Sequence, residues 1–229
     1  MGRLSLGWWL VRGGGSSEVP SVLIDSAEAW FIASEDNYTT VGDTAVSQWN
    51  DLSGNGNHIT QGNTSAQPKY GGDTLYFDGI DDRLELGSFT HNQPLIVYAV
   101  VKRGAYDANA IMFRLNYTGP MIREHPSEAE QLELTAGAGI YSGINDFPVG
   151  EWTIIQATFN GASSELLKDG TSKATGNAGT NTAIIMQIGA SNGDPSEFTI
   201  KEFIVMARLN SSSNQSAITN YLNNKYSVY

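Results

Sequence analysis

The chain has 229 residues, 40 % of them apolar, which suits one β domain with a sizeable core and argues against global disorder. It contains no cysteine, which excludes a disulfide framework, a zinc–thiolate site and a thiol nucleophile. A formal net charge of -11 argues against a nucleic-acid-binding domain, which needs clustered Lys and Arg, and reads as a soluble, self-repelling surface.

The first twenty residues differ from the rest. An apolar block from Leu4 to Val11 is too short to span a bilayer, and Arg12 ends it before any small-residue cleavage site, so neither a membrane span nor a secretory signal is expected. Residues 1–12 read as an extended anchoring arm, with Leu4, Leu6, Trp8, Trp9 and Leu10 as the residues that bind a partner, a neighbouring copy or the chain's own domain. Residues 13–20 read as a Gly/Ser tether, and 21–229 as the folded domain.

From Ser21 the strands begin. Ala29–Ala33 suggests a strand or short helix, Tyr38–Asp43 a loop, and Ala45–Trp49 a strand entering the Asx- and Gly-rich turn Asn50–Asn57. Leu75-Tyr76-Phe77, Asp78-Gly79 and the alternating Arg83-Leu84-Glu85-Leu86 give a hairpin signal. The apolar run Leu95–Val101 is short enough for a buried central strand. Further strands are expected at Ile111–Leu115, Met121–Arg123, Leu132–Leu134, Thr153–Phe159, Glu165–Lys168 before an Asp169-Gly170 turn, Ala183–Gly189 and Phe198–Leu209. One C-terminal helix is expected, capped by Ser212 or Ser213, with Ile218, Tyr221, Leu222 and Lys225/Tyr226 at helical spacing. Trp30, Trp49, Phe77 and Trp152 are assigned to the core.

Certain strings carry a family resemblance. Trp49-Asn50-Asp51-Leu52-Ser53-Gly54-Asn55-Gly56-Asn57-His58, then Gln67-Pro68-Lys69-Tyr70, then Leu75-Tyr76-Phe77-Asp78-Gly79-Ile80-Asp81-Asp82-Arg83-Leu84, together resemble the laminin-G-like members of the concanavalin A-like lectin/glucanase superfamily. Gly150–Gly161, Lys168-Asp169-Gly170 and Ile200–Val205 resemble its central strands. The resemblance implies an all-β, antiparallel two-sheet jelly-roll sandwich, here with an N-terminal arm and a short C-terminal helix. It does not imply a function, because one fold of this kind hosts lectins, adhesion modules, glycosidases and virion proteins.

Catalysis is not expected. The Glu-x-Asp-x-Glu string that glycosidases of this fold carry on one strand face is missing, and the Glu128/Glu130/Glu133 cluster has the wrong spacing. His58, His91 and His125 are isolated, with no metal-ligand spacing. Asp51 begins an EF-hand-like string, but its twelfth position is Gly62 where a bidentate Glu is needed. Asp78, Asp81 and Asp82 could hold calcium on the sandwich rim, as laminin-G-like domains often do; Asx turns explain the same residues without an ion. Loop aromatics Tyr38, Tyr106, Tyr117, Tyr141 and Phe147 are available for sugar stacking, and a glycan platform of Tyr117, Tyr141, Asn145 and Asp146 is the candidate, with Asn116 also close in sequence.

Three functions are then weighed. The first is a non-enzymatic virion structural protein (head decoration, fibre or tail-associated), held by its arm in a bacteriophage or surface assembly, homo-oligomeric and able to meet host glycans. Its Leu-Ser-Leu-Gly opening resembles the starts of phage structural proteins. The second is a secreted carbohydrate-binding module, and the third a glycosidase or lyase. The first is the expectation, which places the protein at a virion or extracellular surface.

Overall fold

A computed structural model of the protein describes residues 18–42, 44–190 and 194–229. The arm residues Leu4, Leu6, Trp8, Trp9 and Leu10 lie outside the described residues. Two α-helices are described, α1 (Ser21–Ser26) and α2 (Ser212–Tyr226). The first half of the chain forms β1 (Ala29–Ile32), β2 (Tyr38–Val41), β3 (Ala45–Trp49), β4 (Ile59–Thr60), β5 (Lys69–Tyr70), β6 (Leu75–Asp78), β7 (Arg83–Leu86) and β8 (Leu95–Arg103). The second half forms β9 (Ile111–Arg114), β10 (Met121–Glu124), β11 (Leu132–Thr135), β12 (Gly139–Tyr141), β13 (Trp152–Phe159), β14 (Ser164–Lys168), β15 (Thr171–Gly176), β16 (Met186–Gly189) and β17 (Glu197–Met206).

The protein is all-β, and every pairing between these strands is antiparallel. One run of neighbours reads β17–β8–β13–β14–β15, with β6 and β1 both on the far side of the long β17. A second reads β4–β7–β16–β9–β10–β11–β12. Strand β3 pairs with β2, β4 and β5, and β5 with β6, so the two runs join into one continuous ladder.

Alternation decides what each face meets. Along β8, Leu95, Val97, Ala99 and Val101 enter a large core shared with Leu84, Ile122, Leu134 and Ile188 of the second run. The intervening Ile96, Tyr98 and Val100 point the other way, into a second core with Leu23 of α1 and Ile218, Tyr221 and Leu222 of α2. A strand buried on both faces needs an unbroken apolar run, which is what Leu95–Val101 supplies. Val19 also packs on this second core, so chain expected to be tether is in contact with the domain by that point. Among the described residues no helix is long and apolar enough to cross a membrane.

Several expectations change. Asp78-Gly79 does not close a hairpin: β6 pairs with β17 and β5, while β7 pairs with β16 and β4. The turn chemistry is present, with the Asp78 N–H donating to Asp82 Oδ2 at 3.0 Å and the Ile80 N–H to Asp78 Oδ1 at 2.8 Å. It serves as a corner that sends the chain from one run to the other. A turn signal fixes a reversal but not a partner; burial fixes the partner, and Phe77 stacks on Phe198 of β17 at 4.7 Å. The loop expected at Tyr38–Asp43 is in part β2, because Tyr38 is buried against Trp49 and Tyr70, with ring centroids 6.0 and 5.7 Å away. The cap of α2 is Ser211, one residue earlier than expected, whose Oγ accepts the Asn214 N–H. Trp30, Trp49 and Phe77 are core. Trp152 is only partly buried, on the outer face, with the ammonium groups of Lys102 and Lys201 at 5.4 and 4.8 Å from its ring.

The Asx-rich turn after Trp49 is a structural clasp. Buried Asp51 accepts the N–H groups of Trp30, Ser53 and Asn57 at 2.9 Å each. Ser53 Oγ and the side-chain amides of Asn55 and Asn57 all donate to the Glu28 carbonyl. His58 Nδ1 accepts the Asp51 N–H at 3.0 Å and fills a loop, as such a residue in an Asx turn often does. The family-like motif thus ties the chain to the entrance of β1.

Candidate functional site

The outer face of the second run carries a polar row. Cross-strand register places Thr60 beside Glu85, Glu85 beside Gln187, and Gln187 beside Arg114. Side chains alternate across a strand, so with Leu84, Ile188 and Phe113 committed to the core these residues face outward. Gln187 Nε2 donates to Glu85 Oε2 at 3.0 Å, and Arg83 Nε lies 3.8 Å from the same oxygen.

Two buried polar atoms in this row lack partners: Arg114 Nε, a donor, and Gln187 Oε1, an acceptor. No carboxylate among the described residues lies within ion-pair distance of Arg114. Its guanidinium carbon sits 4.7 Å from the ring centre of Tyr117, in the β9–β10 connection. Burial lowers the Arg114 pKa, while Tyr117, Glu85 and Asp194 pull it back up. Tyr117 is 60 % exposed and stands at a cleft of about 440 Å³ lined also by Glu85, Ser88, Thr90 and Ile184. Ile184 is 41 % exposed, so the cleft offers two apolar surfaces above polar groups.

The other platform residues lie elsewhere. Tyr117 follows the Arg114 end of β9, whereas Tyr141 packs edge-on against His125, just past the Glu124 end of β10, at 4.9 Å. Asp146 joins Tyr141's end: its Oδ1 accepts Lys173 Nζ at 2.7 Å and its Oδ2 the Gly143 N–H at 2.6 Å. Asn145 between them is in the left-handed region, at φ 64. The four residues therefore form two separate places. Phe147 and Tyr38, expected as loop aromatics, are buried and cannot stack on a ligand. Tyr106 donates its hydroxyl to the His125 carbonyl.

Asp78, Asp81 and Asp82 do meet, each offering an oxygen within 4.8 Å of the others. Hard carboxylate oxygens are the donor type calcium takes, and these three supply three of the roughly six to eight oxygens it needs. Two of them are already engaged by backbone N–H groups of the corner, Asp78 by Ile80 and Asp82 by Asp78. Burial pushes Asp82 up to about 6, against the pull of the Asp78 N–H and with help from the Asp78 and Asp81 carboxylates.

The buried glutamates are committed to cations. Glu124 forms a two-point pair with Arg103, which also donates to the Phe147 carbonyl. Burial raises Glu124 and Arg103 opposes the rise. Glu133 accepts from Arg123 at 2.7 Å. Glu202 accepts from Trp30 Nε1, Lys225 Nζ and the Tyr226 hydroxyl, each at 2.7 Å. Glu133 lies within the strand expected at Leu132–Leu134, on β11, and is 2 % exposed.

Sequence reasoning found Tyr117 but missed Glu85, Arg114 and Gln187, which are distant in the chain. A signal existed: Gln187 is the one polar side chain inside Ala183–Gly189.

No family profile matches the chain, and no curated protein matches it. Solved structures do share its fold. A Trypanosoma rangeli sialidase in complex with sialic acid is 15 % identical with a TM-score of 0.61, over 95 % of this chain and 36 % of that one. The receptor-binding domain of botulinum neurotoxin D is 11 % identical with a TM-score of 0.61, over 88 % and 53 %. A botulinum neurotoxin D ligand-binding domain in complex with N-acetylneuraminic acid gives 11 % and 0.60, over 89 % and 52 %. The chain thus spans about a third of the sialidase's length. At these identities the likeness is one of fold, and it extends to an enzyme and to a receptor-binding domain alike.

Proposed function

We propose that this chain is a carbohydrate-binding domain whose site is the cleft at Tyr117. The observation that carries the reading is an exposed aromatic ring lining a cleft of about 440 Å³ together with Glu85, Ser88 and Thr90. Tyr117 gives a flat apolar surface to the C–H face of a pyranose, and Glu85, Ser88 and Thr90 offer hydrogen bonds to its hydroxyls. Neighbours of the same fold solved with sialic acid and N-acetylneuraminic acid support the reading.

Binding rather than turnover is proposed, since each of Glu124, Glu133 and Glu202 is held by a cation and poorly placed to act as acid or nucleophile. A virion or cell-surface assembly, joined through Leu4, Leu6, Trp8, Trp9 and Leu10, is the setting proposed from the sequence. Five buried apolar side chains at about 1.5–3 kcal/mol each would suffice to hold a subunit.

The test is a glycan array probed with the full chain and with Tyr117→Ala. A saccharide bound by the first and at least about tenfold more weakly by the second supports the site. Equal binding by both would remove the cleft from the account.

A further inference from the structure

Resting on the carbohydrate-binding reading, we propose that the saccharide taken by this cleft carries a carboxylate, and that Arg114 holds it. Three features converge on that side chain. It is a half-buried cation without an ion pair among the described residues, in a chain whose net charge is -11. Withdrawing a guanidinium from water is unfavourable unless an anion or acceptors replace the water. Its Nε is buried and unpartnered, so at least one donor of the planar fork is unused. Its guanidinium stands 4.7 Å from the centre of the exposed Tyr117 ring, and that ring lines the cleft.

The chemistry of the guanidinium and its neighbouring ring separates a carboxylated sugar from a simple anion. A sugar acid brings a carboxylate for the guanidinium and a pyranose face for the adjoining Tyr117 ring, whereas a bare anion uses only the first. Guanidinium geometry favours a planar carboxylate, which it can grip at two points. Glu85, on the same row, is paired with Arg83 at 3.8 Å and engaged by Gln187, so it repels the ligand less than a free carboxylate would.

The experiment compares saccharides that differ only in the acid group: galacturonate oligomers against their methyl esters, and sialyllactose against lactose. The full chain, Arg114→Gln and Tyr117→Ala are titrated with each by calorimetry, after thermal melting confirms that the variants fold. The proposal expects at least one acid to bind about 10- to 100-fold more tightly than its neutral counterpart, with Arg114→Gln abolishing that difference. Neutral and acidic partners binding equally, with Tyr117→Ala still weakening both, would overturn the carboxylate assignment and leave the cleft as a sugar site. A sulfated dextran that matches the acids and depends equally on Arg114 would also overturn it, reducing the site to a charge sensor. No binding of any saccharide would overturn the carbohydrate reading itself.

Discussion

Glu202 on β17 and Arg114 on β9 are both drawn away from bulk water, and the chain surrounds them in opposite ways. Glu202, fully buried, receives an indole N–H, an ammonium and a phenol at 2.7 Å, with a second phenol, Tyr221, at 3.5 Å. Those donors come from β1 and α2, so the carboxylate fastens the C-terminal helix and the first strand to the central one. Arg114 receives no carboxylate among the described residues, and its buried Nε has no acceptor. A buried charge fully met by its own chain is a fastening. A charge without an ion pair among the described residues, beside an exposed ring, is the one we propose meets a ligand.

The contrast breaks most visibly at the fastened charges. Arg103→Met leaves Glu124 uncompensated in the core, and denaturant unfolding should show a loss of about 3–5 kcal/mol. Lys225→Met leaves Glu202 its neutral donors, so a smaller loss of about 1.5–3 kcal/mol is expected from the same measurement.

The Asp78–Asp82 corner sharpens the contrast through pH. Asp82 holds its proton more tightly folded, to about 6, than unfolded, near 3.8. Its contribution to stability is therefore fully present below about pH 4 and is lost as pH rises through about 6, by about 1–2 kcal/mol. Asp82→Asn, which keeps the acceptor for the Asp78 N–H, should flatten that slope in melts taken from pH 4 to 7. An unchanged slope would show that Asp82 titrates normally.

The smallest effect is expected where the two charges differ most. Arg114→Gln removes a charge that forms no ion pair among the described residues, so stability should change by no more than about 0.5 kcal/mol. A loss as large as that of Lys225→Met would make Arg114 a second fastening and remove its claim to a ligand.

Strand existence was legible in the sequence where burial is local. The Leu95–Val101 run and the alternation from Thr153 to Phe159 read directly as strands because each residue's face follows from its neighbours. Pairing was not legible at Asp78-Gly79, because Phe77 finds Phe198 across the fold rather than a partner across the turn. Trp152 looked like core by residue type, yet at its strand end it only borders the second core, and two lysine ammonium groups lie against its ring. The site is harder still. Tyr117 was visible as a loop aromatic, but Glu85, Arg114 and Gln187 become one row only through two long-range strand pairings. The Asx-rich motif was visible and reads as ligand-like until Asp51 is seen to spend its oxygens on backbone N–H groups.

The measurement that tests the account most directly is where a bound saccharide falls on the molecule. Backbone amide shifts of the labelled full chain should be followed as a binding saccharide from the array is added. The account predicts that perturbations gather at residues 83–90, 114–118 and 184–188, around Tyr117 and Arg114. Perturbations gathered instead at His125 and at Tyr141, Asn145 and Asp146, with the Tyr117 cleft silent, would contradict it.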